Sequence, residues 1–125
     1  MESHEDAGRK AKAILVVEDE PLLRAVAADF LIDSGFDVIE ASSADDALGI
    51  LERGCHISLL FSDIQLPGAL DGVELAILVS ARWPQVALIL TSGNSQPSSY
   101  ALPAKTIFLA KPYDLPAVAK IAAAA

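Results

Sequence analysis

Four short apolar runs in this chain are each followed directly by polar residues that can contact a cation or an anion. Runs of this length between turn signals are typical of strands that are buried on both faces of a parallel sheet. The runs and the residues after them are 14–17 before Glu18 and Asp19, 59–62 before Asp63, 86–90 before Thr91 and Ser92, and 107–110 before Lys111 and Pro112. Ligands bind beyond the carboxyl ends of parallel strands, so we expect these polar side chains to converge on one site.

Helix signals lie between these runs. Pro21 lies where the first turn of a helix tolerates proline, and Ser43 followed by acids is typical of an N-cap. The predicted helices run from Pro21 to Gly35, from Ser43 to Gly54, from about Gly72 to Arg82, and from Leu115 to about Ala123. Apolar residues recur at helical spacing in the first of them, at Leu22, Leu23, Val26, Ala27, Phe30 and Leu31. Residues 37–41 predict a short strand nearer an edge of the sheet.

Alternation of strands and helices with short connections predicts an α/β domain with helices on both faces of a parallel sheet. The predicted architecture is a flavodoxin-like, doubly wound, five-stranded parallel sheet in the order 2-1-3-4-5. In that order the first and third strands flank the switch point, which places Glu18 and Asp19 beside Asp63. Residues 93–105 are rich in Gly, Pro and Ser, and we expect a shortened or missing fourth helix there.

Length and composition indicate one globular domain. The chain has 125 residues, of which 53% are hydrophobic and 21% are charged. Residues 1–12 are predicted to form a mobile polar tail, and residues 13–125 the domain. The acidic start is unlike a signal peptide, and the single Cys55 is typical of a reducing compartment, so the predicted location is the cytoplasm.

The net charge of −8 bears on the choice of partners. Residues 1–12 contain three acids and three bases, so the whole acidic excess lies in the predicted domain. An acidic domain without a basic stripe has no electrostatic reason to approach nucleic acid or an anionic membrane surface. We therefore predict neither partner, and the charge favours a cation or a basic protein.

The converging residues suit the chemistry of phosphate and magnesium. Neighbouring carboxylates repel each other unless a cation lies among them, and Mg²⁺ prefers carboxylate, water and phosphate oxygens. Glu18, Asp19 and Asp63 meet that requirement. A carboxylate can also attack phosphorus to give an aspartyl phosphate, whose added charge an ammonium and a hydroxyl can stabilise. Lys111 and Thr91 carry those two groups.

The motifs that contain these residues resemble those of the response-regulator receiver domain, the CheY-like module of two-component signalling. The resemblance covers about residues 13–123. Its carriers are Val-Glu-Asp-Glu-Pro at 17–21, Ser-Asp-Ile-Gln-Leu-Pro-Gly at 62–68, Asp71-Gly72, Thr91-Ser92-Gly93 and Lys111-Pro112. Two departures from the pattern are a loop between Pro67 and Asp71 that is one residue longer and a shorter segment between Thr91 and Lys111.

The resemblance implies a phosphoacceptor and a magnesium site. Asp63 is expected to accept the phosphoryl group. Asp19, Asp63 and the main-chain carbonyl of Gln65 are expected to ligate Mg²⁺ directly, and Glu18 mainly through water.

The resemblance also implies groups that bind the phosphoryl group and respond to it. Lys111 is expected to contact the phosphoryl group, and the peptide bond between Lys111 and Pro112 is expected to be cis. Thr91 is expected to move and cap the phosphate. Phe108 occupies the position of the family's switch aromatic, although as a residue it is equally a strand aromatic that packs on the core.

By this resemblance the protein is a single-domain response regulator of a two-component phosphorelay. It would take its phosphoryl group from a histidine kinase or a phosphotransfer protein. It would then signal to an unknown downstream protein or drain phosphate from a shared kinase. It would catalyse its own phosphorylation and dephosphorylation without being a metabolic enzyme. The oligomeric state is left open, with a weak homodimer as one option.

Three other functions compete for the same residues. A magnesium-dependent phosphohydrolase with an aspartyl nucleophile commonly has a second acid two residues later, where this chain has Gln65. A flavin-binding protein of this fold requires a phosphate loop rich in Ser, Thr and Gly after the first strand, where this chain has acids. An inactive receiver that serves as a scaffold is disfavoured by the complete acidic set and by Lys111.

Overall fold

The computed structural model describes residues 11–93 and 102–125 of the chain. The strands are β1 Ala13–Val17, β2 Asp37–Ala41, β3 Leu59–Asp63, β4 Ala87–Ser92 and β5 Ile107–Ala110. The helices of the described ranges are α1 Pro21–Asp33, α2 Ala44–Glu52, α3 Gly72–Arg82 and α4 Leu115–Ala124. Most of the predicted tail and most of the breaker-rich segment 93–105 fall outside the described residues.

All five strands are parallel and lie in the order β2-β1-β3-β4-β5, which confirms the flavodoxin-like topology. In the register of the sheet, Val17 lies opposite Ala41 on one side and Ser62 on the other. Asp63 lies opposite Thr91 on β4. The polar residues that end or follow β1, β3 and β4 therefore meet at one edge.

The sheet buries a hydrophobic cluster on each face because successive strand residues point to opposite sides. On one face Leu15, Val17 and Leu60 pack with the buried residues of α2 and α3. On the other face Ile14 and Phe61 pack with the buried residues of α1 and α4. The four helices of the described residues are thus distributed two to a face, as predicted for a doubly wound sheet. No helix in the ranges that the structure describes is long and apolar enough to cross a membrane.

The predicted burial is wrong for one strand, and the spacing of apolar residues in α1 did not identify its packed face. The run at 107–110 is not buried on both faces, because β5 lies at the end of the sheet and Ile107 is 38% exposed. The apolar residues of α1 do not all face the sheet either. Ala27 and Leu31 are buried, but Leu22 is 74% exposed and Val26 is 51% exposed. Helical spacing alone did not distinguish the packed face, because apolar residues occupy more than one side of this helix.

Side-chain caps begin two of the helices, and the cap at Ser43 is the one that the sequence predicted. The hydroxyl of Ser43 accepts a hydrogen bond from the Asp46 N–H at 3.1 Å. Asp71 and Glu74 form a reciprocal capping box, in which each carboxylate accepts the other residue's backbone N–H, at 2.9 and 2.8 Å. The capping box fixes the start of α3, which lies against the end of β3.

Gly72 allows α3 to begin in contact with the end of β3. Its N–H donates to the Ile64 carbonyl at 2.7 Å. A Cβ atom at this position would lie 2.1 Å from the Asp63 carbonyl oxygen and 2.7 Å from the Ile64 Cα. Both neighbours are backbone atoms and cannot rotate away, so the packing of α3 beside Asp63 requires glycine.

We predict that Gly72→Ala destabilises the protein by about 3 kcal/mol, because the new methyl group forces α3 away from β3. Urea unfolding followed by circular dichroism measures the change. Gly49→Ala is the matched control: a Cβ atom on this helical glycine would have only the flexible Arg53 Nη1 atom near it, at 3.6 Å. Alanine there should stabilise the helix by about 0.5–1 kcal/mol. A similar response at both positions would contradict this account of the packing.

Candidate acidic and phosphate-binding site

Three carboxylates meet at the carboxyl edge of the sheet. Glu18 and Asp19 lie in the loop between β1 and α1, and Asp63 is the last residue of β3. One oxygen atom from each lies within 4.8 Å of the other two. Glu18 is 6% exposed and Asp63 is 7% exposed, whereas Asp19 faces solvent. The structure therefore brings together the three acids that the sequence predicted.

Lys111 supplies a positive charge to this cluster from the far side of β4. Its Nζ atom donates to Asp63 Oδ2 at 2.9 Å and lies 3.8 Å from Glu18 Oε1. Its backbone N–H donates to the Ser92 carbonyl at 2.9 Å, which continues the pairing of β5 with β4. The peptide bond between Lys111 and Pro112 is cis.

The ionisation of the cluster reflects its burial and its crowding. Burial raises the pKa of the Glu18 carboxyl, and the charges of Asp63 and Asp19 raise it further against the opposing effects of the Glu20 N–H and Lys111. Burial acts to lower the pKa of Lys111, but the hydrogen bond and charge of Asp63, with the charge of Glu18, raise it overall. Lys111 is therefore an ammonium at neutral pH.

The charge balance of the cluster fits a divalent cation. When all four groups are ionised, three negative charges and one positive charge leave two net negative charges. Mg²⁺ is a hard cation that takes carboxylate oxygens together with water and phosphate oxygens. The donor set of Glu18, Asp19 and Asp63 consists of such oxygens, and an exposed Asp19 leaves one side of the cluster open to solvent.

Thr91 brings a buried hydroxyl to the same edge. It lies opposite Asp63 in the sheet register, and its carbonyl accepts the Ile64 N–H at 2.9 Å. Thr91 is 2% exposed, and its Oγ1 atom is a buried side-chain atom without a hydrogen-bond partner in the described part of the chain. A buried hydroxyl without a partner costs free energy. An oxygen atom of a group attached to the Asp63 carboxylate would be a suitable acceptor for the Thr91 hydroxyl.

The structure locates the two remaining predicted residues without assigning their roles. The main-chain N–H of Gln65 donates to Asp63 Oδ1 at 3.2 Å, and the side chain of Gln65 is exposed. Phe108 is half-buried, lies opposite Leu90 in the sheet and packs against the core on the α2 and α3 face. The metal contact of the Gln65 carbonyl and the switch role of Phe108 remain predictions.

Sequence reasoning missed Tyr113, which lines the same cavity as Glu18, Asp63 and Thr91. Its ring packs edge-on against Phe61, with the centroids 5.3 Å apart and the planes at 81°. Burial raises the pKa of the Tyr113 phenol, and the charges of Glu18 and Asp63 act in the same direction. The available signal was an aromatic residue two positions after Lys111.

Sequence reasoning also missed Arg24, three residues into α1 from Pro21. Its Nη1 atom donates to the main-chain carbonyl of Glu18 at 2.8 Å, and its Nε atom donates to Glu40 at 3.2 Å. No motif marked this arginine, because its partner is a backbone atom of the acidic loop.

The sequence profile of the response regulator receiver domain family matches residues 14–122 of the chain. The chain belongs to the response-regulator receiver domain family. Aspartate phosphorylation and Mg²⁺ binding at an acidic pocket are features of this family of signalling domains, which interact with histidine kinases. The described site contains the acidic cluster on which those features depend.

Two curated relatives of this receiver domain are much longer than the chain itself. The response regulator protein FleR of Pseudomonas aeruginosa is 36% identical over 80 residues, which are 64% of this chain and 16% of FleR. The sensor kinase CckA of Brucella abortus is 34% identical over 106 residues, which are 82% of this chain and 11% of CckA. The chain thus spans a small part of the relatives that it matches.

Solved receiver domains have the same fold. The crystal structure of a response regulator receiver protein from Sinorhizobium medicae superposes with a TM-score of 0.83 at 26% sequence identity. The match covers 92% of this chain and 94% of the other.

We predict that Glu18→Gln stabilises the metal-free protein at pH 7. The pKa of Glu18 is raised in the folded state above its ordinary value of 4.5, so the folded state binds more protons than the unfolded state above that pH. Stability is therefore lost as the pH rises through the folded pKa, and glutamine removes this loss.

Urea unfolding in the presence of a chelator at several pH values tests this prediction. The gain from Glu18→Gln should shrink as the pH falls towards 4.5, where the parent carboxyl binds its proton. Glu52→Gln is the control, because Glu52 pairs with Arg82 at an exposed site. A stability loss in Glu18→Gln at pH 7 would contradict the account of the buried charge.

Proposed function

We propose that this receiver domain accepts a phosphoryl group on Asp63 from a histidine kinase or a phosphotransfer protein, in a Mg²⁺-dependent reaction. The proposal is supported mainly by the contacts and burial of the Asp63 carboxylate. It is nearly buried, contacts the Lys111 ammonium at 2.9 Å and lies within a cluster of three acids. The buried Thr91 hydroxyl on the adjacent strand lacks a hydrogen-bond partner within the described residues.

The residues that would hold Mg²⁺ are Asp19, Asp63 and the main-chain carbonyl of Gln65, with Glu18 acting mainly through water. When bound, the ion would neutralise the acidic cluster and the charge that develops on the phosphoryl oxygens. The net charge of the cluster and the open side at Asp19 support this assignment.

In the proposed transfer, a carboxylate oxygen of Asp63 forms a bond to phosphorus while the bond from phosphorus to the donor's imidazole nitrogen breaks. The electron pair of the broken bond stays on that nitrogen. Lys111 then exchanges part of its contact with Asp63 for a phosphoryl oxygen, which its ammonium stabilises. The Thr91 hydroxyl donates to another phosphoryl oxygen and so gains the partner that it lacks.

The proposed output of this domain, residues 13–125, is an interaction with another protein, or the removal of phosphate from a shared kinase. In the first case Thr91 would move toward the phosphate and Phe108 would change its packing in response. Phe108 is half-buried on the edge strand β5, where it packs against the core. In this proposal the protein catalyses only its own phosphorylation and dephosphorylation and is not a metabolic enzyme.

We predict that incubation with acetyl phosphate and Mg²⁺ adds the mass of one phosphoryl group to the parent protein, because Asp63 can attack a small donor. Intact mass spectrometry measures the addition. Asp63→Asn should abolish it. Asp71→Asn is the matched control: this carboxylate caps α3, asparagine is an equally good N-cap, and phosphorylation should persist.

Two results would refute the proposed phosphorylation. One is a parent protein that gains no mass, and the other is undiminished addition to Asp63→Asn. Steady release of phosphate from a phosphomonoester would instead favour the phosphohydrolase function.

A further inference from the structure

Arg24 is a cation beside the acidic loop that contacts the loop's backbone. Its guanidinium donates to the Glu18 carbonyl at 2.8 Å through Nη1 and to the Glu40 carboxylate at 3.2 Å through Nε. No ion pair in the described ranges joins Arg24 to the carboxylates of Glu18, Asp19 or Asp63. Arg24 therefore does not compete with another cation for these carboxylate oxygens.

The peptide groups of Glu18 are held from both sides. The Glu18 N–H donates to the Ala41 carbonyl of β2 at 3.0 Å, and Arg24 holds the Glu18 carbonyl from α1. The next fixed point is Glu20, whose N–H donates to Glu18 Oε2 at 3.1 Å and whose carbonyl accepts the Arg24 N–H at 2.9 Å. Arg24 thus closes the loop that runs from Glu18 to the first turn of α1.

Asp19 lies between these fixed points. Its carboxylate is exposed, and the described part of the chain provides it with no hydrogen bond or ion pair, although it lies within the acidic cluster. The direction of this carboxylate consequently depends on the backbone on either side of it. Arg24 is the side chain that fixes the carbonyl immediately before Asp19.

A positive charge near a cation site is normally unfavourable, and the structure limits this effect in two ways. The Glu40 carboxylate neutralises the guanidinium through an ion pair of 3.2 Å. Arg24 also directs one N–H group to the Glu18 carbonyl oxygen while another N–H group contacts Glu40. Arginine can make both contacts because its donors form a rigid fork. Lysine offers a single ammonium in place of these separate groups.

We propose that Arg24 is a positioning residue for Mg²⁺: through the Glu18 carbonyl it orders the acidic loop and aims Asp19 at the ion, while Glu40 neutralises its charge. This inference rests on the proposed function, because it requires Mg²⁺ to bind at the cluster.

The sign of the effect of Arg24→Ala separates positioning from simple electrostatics. If Arg24 acted only as a nearby positive charge, its removal would strengthen Mg²⁺ binding, because a repulsion is lost. If it positions the loop, its removal weakens binding. Substitution of residues that orient metal ligands typically costs about 10–100-fold in metal affinity. We therefore expect the loss of positioning to outweigh the relief of charge repulsion.

Titration of the full chain with MgCl₂, followed by backbone amide chemical shifts, gives the Kd of each variant in its folded form. We expect Arg24→Ala to raise the Kd about 10-fold. Arg24→Lys should recover part of the affinity. Arg82→Ala is the matched control, because Arg82 also forms an Arg–Glu ion pair, with Glu52 at 3.0 Å, and it lies at the end of α3. Its Kd should equal that of the parent.

Each outcome decides the proposal. A Kd for Arg24→Ala that equals the parent's or is lower overturns it, and so does an equal weakening in Arg82→Ala. If circular dichroism shows that Arg24→Ala does not fold, Arg24→Lys decides: a Kd equal to the parent's overturns the proposal. A parent protein that does not bind Mg²⁺ refutes the proposed function itself, whereas binding that is unchanged in the Arg24 variants refutes only this inference.

Discussion

The ion pair between Lys111 and Asp63 connects the parts of the chain on which the site depends. It joins the end of β3 to the segment after β5, across the intervening strand β4, at 2.9 Å. Without this ammonium, two nearly buried carboxylates and a third acid would repel one another in a medium that solvates them poorly. The contact therefore makes the crowded cluster tolerable in the absence of a metal, and it occupies an oxygen of Asp63 that a phosphoryl group would otherwise use.

The sheet explains how residues distant in sequence reach one pocket. Five parallel strands in the order β2-β1-β3-β4-β5 put the carboxyl ends of β1 and β3 side by side, and Thr91 one strand further along. Local devices then refine the geometry: Gly72 lets α3 approach Asp63, and Arg24 holds the loop of Glu18. The scaffold thus brings the acids together, and these close contacts determine how they are presented.

Most of the fold and the composition of the site were predictable from the sequence, because both follow from strand ends. Apolar runs that end in Asp63, Thr91 and Lys111 indicated where the groups would meet. The burial of individual side chains was less predictable. Helical spacing did not reveal that Leu22 is exposed on α1, because apolar residues occupy more than one side of this helix and the pattern does not specify which side packs against the sheet. Arg24 was missed for a different reason. Its partner is the main-chain carbonyl of Glu18, and every residue type has such a carbonyl, so no sequence motif indicates the contact.

The central claim is that the acidic cluster, Lys111 and Thr91 form one site for Mg²⁺ and a phosphoryl group on Asp63. A crystal structure with Mg²⁺ and beryllofluoride, which mimics the phosphoryl group, tests it most directly. We predict beryllofluoride on Asp63, Mg²⁺ bound by Asp19 and Asp63, and hydrogen bonds from Lys111 Nζ and Thr91 Oγ1 to fluorine atoms. A structure in which the additives bind elsewhere, or in which Lys111 keeps its contact with an unmodified Asp63, would contradict the claim.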